Sequence, residues 1–134
     1  HLREHLTLLH RMAVADRMIP AELTALFLGG QKKGEQEAAR RARVIFGTYR
    51  MVGRGVDIAD LDALIFATPT ADPRQAVGRL LRRLPGKPTP LVVDIVDGNV
   101  PPVVGQFRAR ARWYREIGAG GNWDSVLTRL DGRG

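Results

Sequence analysis

Gln75, Arg79 and Arg82 recur at i, i+4 and i+7, a spacing that brings side chains onto one face of an α-helix. One amide and two guanidinium forks on a common face can clamp phosphate oxygens and stabilise charge developing on a transferring phosphoryl group. Ala76, Val77, Leu80, Leu81 and Leu84 fall on the other side, as a core-facing stripe would. Gly78 lies inside the same segment, where glycine costs about 1 kcal/mol relative to alanine. Close approach of a ligand or a neighbouring backbone is the usual compensation. No acid occurs from Pro73 to Val93, while Arg74, Arg79, Arg82, Arg83 and Lys87 all fall there. The plain alternative is a solvated basic helix face.

A second locus runs from Gly47 to Ile58. Gly53 and Gly55 permit positive φ and close backbone approach to a ligand. Asp57 offers a carboxylate to a ribose hydroxyl or a nearby Arg, and Thr48 can donate to a phosphate. An ordinary turn capped by Asp57 would use the same residues. Glycine-rich loops alone do not decide between the two.

Composition narrows the partners. The chain has 134 residues, 44% of them hydrophobic, which suffices for one domain with its own core. It carries 21 Lys plus Arg against 14 Asp plus Glu, a formal net charge of +7. Three of the 21 are lysines (Lys32, Lys33, Lys87), so 21 − 3 = 18 are arginines, whose planar fork suits phosphate. Such an excess favours polyanions, making nucleic acid or nucleotide the leading partner. A second basic run holds Arg108, Arg110, Arg112 and Arg115. Within it Arg108, Arg112 and Arg115 form a stripe at i, i+4 and i+7, suited to phosphate contact or simply solvated. Phe107 and Tyr114 belong to the core face of that helix, and Trp113 is less committed.

Other chemistries find little support. Asp94 and Asp97 are three apart on an apolar strand and point to opposite faces, which fits pairing with an Arg better than a shared metal. His1, His5 and His10 lack a cluster of acids or cysteines to complete a shell, so no metal site is expected. Cys is absent, which excludes disulfides and thiolate metal sites. No apolar run approaches the roughly 18 residues of a membrane span. A cytoplasmic or nucleoid-associated setting is expected.

The elements that must position these residues alternate. Leu2, Leu6, Leu9, Met12 and Ala13 predict an amphipathic helix ending near Met18, with Pro20 blocking continuation. Strands are expected at 23–28, 43–47, 61–67 and 91–96, and helices at 35–41, 74–84 and 103–117. Residues 48–60 read as a loop with one helical turn. Residues 123–130 read as an edge strand or a final helix. Apolar strands separated by helices imply an α/β fold with a mainly parallel sheet, covered on both faces. Ligands bind such sheets in the loops at the carboxyl ends of the strands.

Two segments in order then resemble a family. Thr48-Tyr49, with Gly55-Val56-Asp57-Ile58 and Leu61-Asp62, is similar to motif V of superfamily 2 helicases. Gln75-Ala76-Val77-Gly78-Arg79-Leu80-Leu81-Arg82-Arg83 is similar to motif VI, and Leu26 to Lys32 resembles the strand and loop called motif IVa. The likeness covers roughly residues 6 to 117. It implies a C-terminal RecA-like domain, a three-layer sandwich with helices on both faces of the sheet. By that resemblance Gly55, Asp57 and Gln75 would bind nucleotide, Arg82 would be the arginine finger and Arg79 would support it. Gly29, Gly30, Thr48 and Tyr49 would face nucleic acid by the same likeness, and the basic stripe adds Arg108 and Arg112 on its spacing, with DNA favoured over RNA. Gln75 stands where the DEAD-box branch has His, which places the likeness nearer recombination, repair or phage-type helicases.

The departures shape the expectation. No G-x-x-x-x-G-K motif followed by Ser or Thr occurs, and no D-E-x-H or D-E-x-D box. In the family both lie on a preceding RecA-like domain, which would hold most of the Mg2+ and ATP contacts. Residues 1–134 are therefore expected to be one helicase C-terminal domain cut from a longer chain, lacking its first strand, with 118–134 as an extension or edge element. Alone it would be inactive. The alternative is a nucleic-acid-binding or scaffold module that keeps the fold without an ATPase role. A self-contained nucleotide-binding domain is disfavoured by the missing phosphate loop.

Overall fold

Short apolar runs alternate with helices along the chain. In the computed structural model, which describes residues 2–53, 61–68 and 70–132, each run forms a strand. These are β1 (Thr24–Phe27), β2 (Val44–Gly47), β3 (Ala63–Phe66) and β4 (Leu91–Asp94). The helices are α1 (Leu2–Ala15), α2 (Lys33–Ala39), α3 (Tyr49–Gly53), α4 (Arg74–Leu80), α5 (Pro101–Glu116) and α6 (Trp123–Asp131). The α/β class read from the sequence holds, and the arrangement is compatible with a RecA-like fold. Among the described residues the strands form two parallel pairs, β1–β2 and β3–β4. Parallel strands cannot be joined by a tight hairpin, and a helix intervenes in each connection. The chain divides into two compact units, His1–Ile58 and Ala59–Gly134.

In the first unit α1 ends at Ala15, earlier than expected. The stop comes from a reversal at Arg17, whose φ of 53° is left-handed, rather than from Pro20. Pro20 instead opens a single 3₁₀ turn, Ala21–Leu23, leading into β1. His10 ties α1 to the strands: its Nε2 lies 2.7 Å from Thr24 Oγ1, and its ring meets Phe46 edge-on at 5.1 Å. The Thr24 hydroxyl already donates to Ala21 O at 2.9 Å, so the imidazole is the donor in that pair. Phe27, fully buried, and Ala39 form the core, with Ala25, Ile45 and Met51 packed around them.

In the second unit the pleat sorts the side chains. Phe66 and Val77 are buried, as are Leu80, Phe107, Ala111 and Tyr114, whereas Ile65, Leu91 and Val93 on the opposite strand face are exposed. Val104, Phe107, Ala111 and Tyr114 line one face of α5, as the sequence implied. That helix begins with Pro101-Pro102, where the missing N–H groups cost no helical bond. Residues 123–131 form a helix, which settles the choice left open for this segment.

Candidate phosphate and nucleic-acid interface

Because β1 and β2 are parallel and Phe27 faces Gly47, the segments beginning at Leu28 and Thr48 leave the same end of the pair. Gly29 and Gly30 turn there, exposed, with Gly30 at φ +84°. The turn is held by Gln31. Its Oε1 accepts from Leu28 N at 2.8 Å and its Nε2 donates to Leu26 O at 3.1 Å, as a neighbouring strand would. Gln36 Nε2 donates to Gln31 O, and Glu35 Oε2 accepts from Lys32 N at 2.8 Å, fixing the start of α2. A Cβ on Gly29 would lie 3.8 Å from Met51 Sδ, so the turn packs beside α3, which starts at Tyr49. Gly29, Gly30, Thr48 and Tyr49 are thus gathered at one end of the sheet. Gly55 and Asp57 lie outside the described residues.

In the second unit α4 follows β3 and carries Gln75, exposed, and Arg79, half-buried, one turn apart. The helix is shorter than the expected 74–84. It ends at Leu80, so Arg82 stands just past it and does not extend a helical face with Gln75 and Arg79. The early stop has a visible cause. Lys87 folds back through a turn containing Gly86 (φ +75°) and donates Nζ to Leu80 O at 2.6 Å and Arg82 O at 2.8 Å. A cation on the last carbonyls is the favourable end for one. Lys87 thereby fixes the backbone of exposed Arg82, a role its place in a basic run did not signal.

Gly78 is exposed, and a Cβ there would meet nothing within 4 Å. The chain's own packing does not require glycine. Gly78→Ala is expected to stabilise this chain by up to about 1 kcal/mol. A raised urea midpoint would show this, and a lowered one would contradict the open space around Gly78.

The buried chemistry of this unit centres on Arg110, which the sequence showed only as a member of the second basic run, outside its stripe. Arg110 is 0% exposed. Its Nε and Nη2 each donate to Asp94 at 2.7 Å, and its Nη1 donates to Thr70 O. The guanidinium lies 5.9 Å from the Phe66 ring centroid and 5.8 Å from that of Phe107. Tyr114 Oη donates to Asp94 Oδ2 at 3.1 Å. Burial, and then the Asp94 carboxylate, push the Tyr114 phenol well above its ordinary range, so it remains a donor. Asp94 therefore pairs with an Arg as its spacing suggested, while Asp97 accepts from Asn99 N at 2.9 Å in the next turn.

The stripe on α5 is divided. Arg108 pairs with Asp131 at 2.7 Å and Arg115 with Asp124 at 3.0 Å, both on α6 and both well exposed. Arg115 also stacks 5.3 Å from the Trp123 ring. Exposed pairs of this kind hold little energy and yield readily to a competing anion. Exposed Arg112 instead lines a cleft of about 330 Å³ with Arg74, Trp113, Asp72 and Glu116.

With this geometry in hand, comparison with known proteins gives one informative relative. A protein of Acanthamoeba polyphaga mimivirus, named by inference as an ATP-dependent RNA helicase, is 31% identical over 90 residues. The similarity is to a helicase. It covers 67% of this chain and 17% of the relative, so the match spans only a small part of that protein's length. No family model and no solved structure matches the chain. The similarity supports a helicase-related domain. Among the described residues no helix is long and apolar enough to cross a membrane, and no group of His, Cys, Asp or Glu could hold a metal ion.

Proposed function

We propose that this chain is the second motor domain of an ATP-dependent nucleic-acid helicase or translocase, working with a preceding Walker-type domain. The observation that carries the reading is the placement of Gln75 and Arg79 on the helix after β3, with Arg82 exposed on a backbone pinned by Lys87. That position, beyond the carboxyl end of a parallel strand, is where α/β folds recognise phosphates. The mimivirus relative's name agrees with it.

The polar groups fit a triphosphate. Gln75 and Arg79 offer directed donors, and Arg82 offers a guanidinium fork whose charge needs no proton transfer. ATP supplies the phosphoryl group for transfer to water, and Mg2+ belongs with the preceding domain. This chain's part is to place Arg82, supported by Arg79, against charge developing on the γ-phosphoryl oxygens. Gly55 and Asp57 are assigned to nucleotide binding by the likeness to motif V alone. The opening at Gly78 leaves room for the facing domain, so Gly78→Ala would slow turnover while stabilising the chain.

Gly29, Gly30, Thr48 and Tyr49 in the first unit are assigned contact with a nucleic-acid strand, and so, separately, is Arg112 in the second, with Arg108 available when Asp131 is displaced. The phosphate backbone they meet is common to DNA and RNA. The relative is named for RNA, whereas the sequence alone favoured DNA, and the two strands should be compared directly. Arg112→Ala is expected to weaken single-strand binding and to lower the slope of log affinity against log salt by about 1. An unchanged slope would remove Arg112 from the track. Loss of all ATP dependence with strand binding intact would favour a binding module.

A further inference from the structure

We propose that Arg110 is a positioning residue for the phosphate-facing segment, holding the β3–α4 connection through the Thr70 carbonyl. This rests on the motor reading above for its purpose, but its geometry is independent of that reading.

Phe66 and Asp94 are the last residues of β3 and β4 and face each other across the ladder. Both touch the Arg110 guanidinium, one by its ring and one by its carboxylate. The third side of the fork reaches forward to Thr70, four residues before α4 begins. Two residues on, Asp72 Oδ1 accepts from Arg74 N at 3.0 Å, and Pro73 O accepts from Val77 N at 2.9 Å. Thr70 Oγ1 donates to Asp72 O at 3.5 Å, so contacts run from the strand ends through Arg110, Thr70 and Asp72 to the first turn carrying Gln75.

Two features distinguish this from an ordinary core ion pair. Asp94 and the ring contacts already account for the burial of the charge, and a pair needs only the two parallel donors. The remaining nitrogen, Nη1, donates to a connecting segment rather than to a regular element. A lysine would have one nitrogen in place of three, so it could not keep the two parallel bonds to Asp94 and the separate bond to Thr70 O together.

The test separates position from stability. Arg110→Met combined with Asp94→Leu replaces the pair by apolar side chains, an exchange that often preserves folding. Amide hydrogen exchange on the 134-residue chain is expected to accelerate about tenfold or more at residues 70–80, with α1 and α6 unchanged. In the longer protein kcat should fall about ten- to a hundredfold with KM for ATP nearly constant. Arg110→Lys, which keeps charge and stem, serves if the double variant does not fold, and should show the same local exchange with a smaller loss of kcat. Unchanged exchange at 70–80 would overturn the proposal, and so would faster exchange with wild-type kcat. A wild-type longer protein with no ATP turnover would instead overturn the motor reading, and with it the purpose given to Arg110. The exchange result would still report whether Arg110 holds the segment.

Discussion

Arg82→Ala, in the longer protein proposed here, is expected to lower nucleic-acid-stimulated ATP turnover by about 10³–10⁵-fold, the range for arginine fingers supplied in trans. Nucleic-acid affinity should change little. The expectation follows from where Arg82 stands. Its N–H is bonded to Arg79 O at 3.3 Å and its carbonyl to Lys87 Nζ at 2.8 Å, so the backbone is held while the residue remains exposed. A fixed root with a long charged side chain suits a group that must reach a neighbouring domain's ligand. Arg82→Lys should recover only a small part of the loss, because an ammonium is a point charge without the fork. Equal turnover in wild type and Arg82→Ala would remove the finger from this residue.

Asp94→Ala is expected to be the most damaging single change to folding. It leaves the Arg110 guanidinium, 0% exposed, without its carboxylate, and it deprives Tyr114 of its acceptor. Removing one partner of a buried pair costs about 3–5 kcal/mol. Whole-domain stabilities are about 5–15 kcal/mol, so the thermal midpoint should drop by about 10–20 °C. By contrast Asp131→Ala removes only the exposed partner of Arg108, and such pairs contribute about 0–1 kcal/mol. Similar midpoints for the two variants would mean that Asp94 and Arg110 are not a closed pair in solution.

Much of the fold was legible because it depends on local periodicity. The four apolar runs became strands in two parallel pairs, shortened at their ends, and α5 buried the face its spacing assigned. Asp94 was legible as a pairing residue because a lone acid on an apolar strand needs a cation. Its partner was not. Arg110 falls between the i, i+4 and i+7 members of the basic stripe, and that same offset turns it toward the core. That offset, three residues after Phe107 and four before Tyr114, already separates it from Arg108 and Arg112, whereas its contacts with Phe66 and Thr70 depend on the tertiary fold.

The end of α4 was misjudged for a similar reason. Leu81 and Leu84 continue a helical pattern, but Lys87 takes the terminal carbonyls from beyond the Pro85-Gly86 turn. That hydrogen bonding is not encoded in any local spacing. The residues that carry the motif likeness were read from their types and order alone. Which strand end gathers Gly29 and Thr48 depends on register: Phe27 opposite Gly47 brings them to one end of the β1–β2 pair.

The most direct measurement is ATP hydrolysis with and without single-stranded nucleic acid, comparing this chain alone with the same chain joined to a preceding Walker-type domain. A motor half predicts turnover, stimulated by the strand, only in the joined protein. Turnover by the chain alone, or none in the joined protein, would contradict that role.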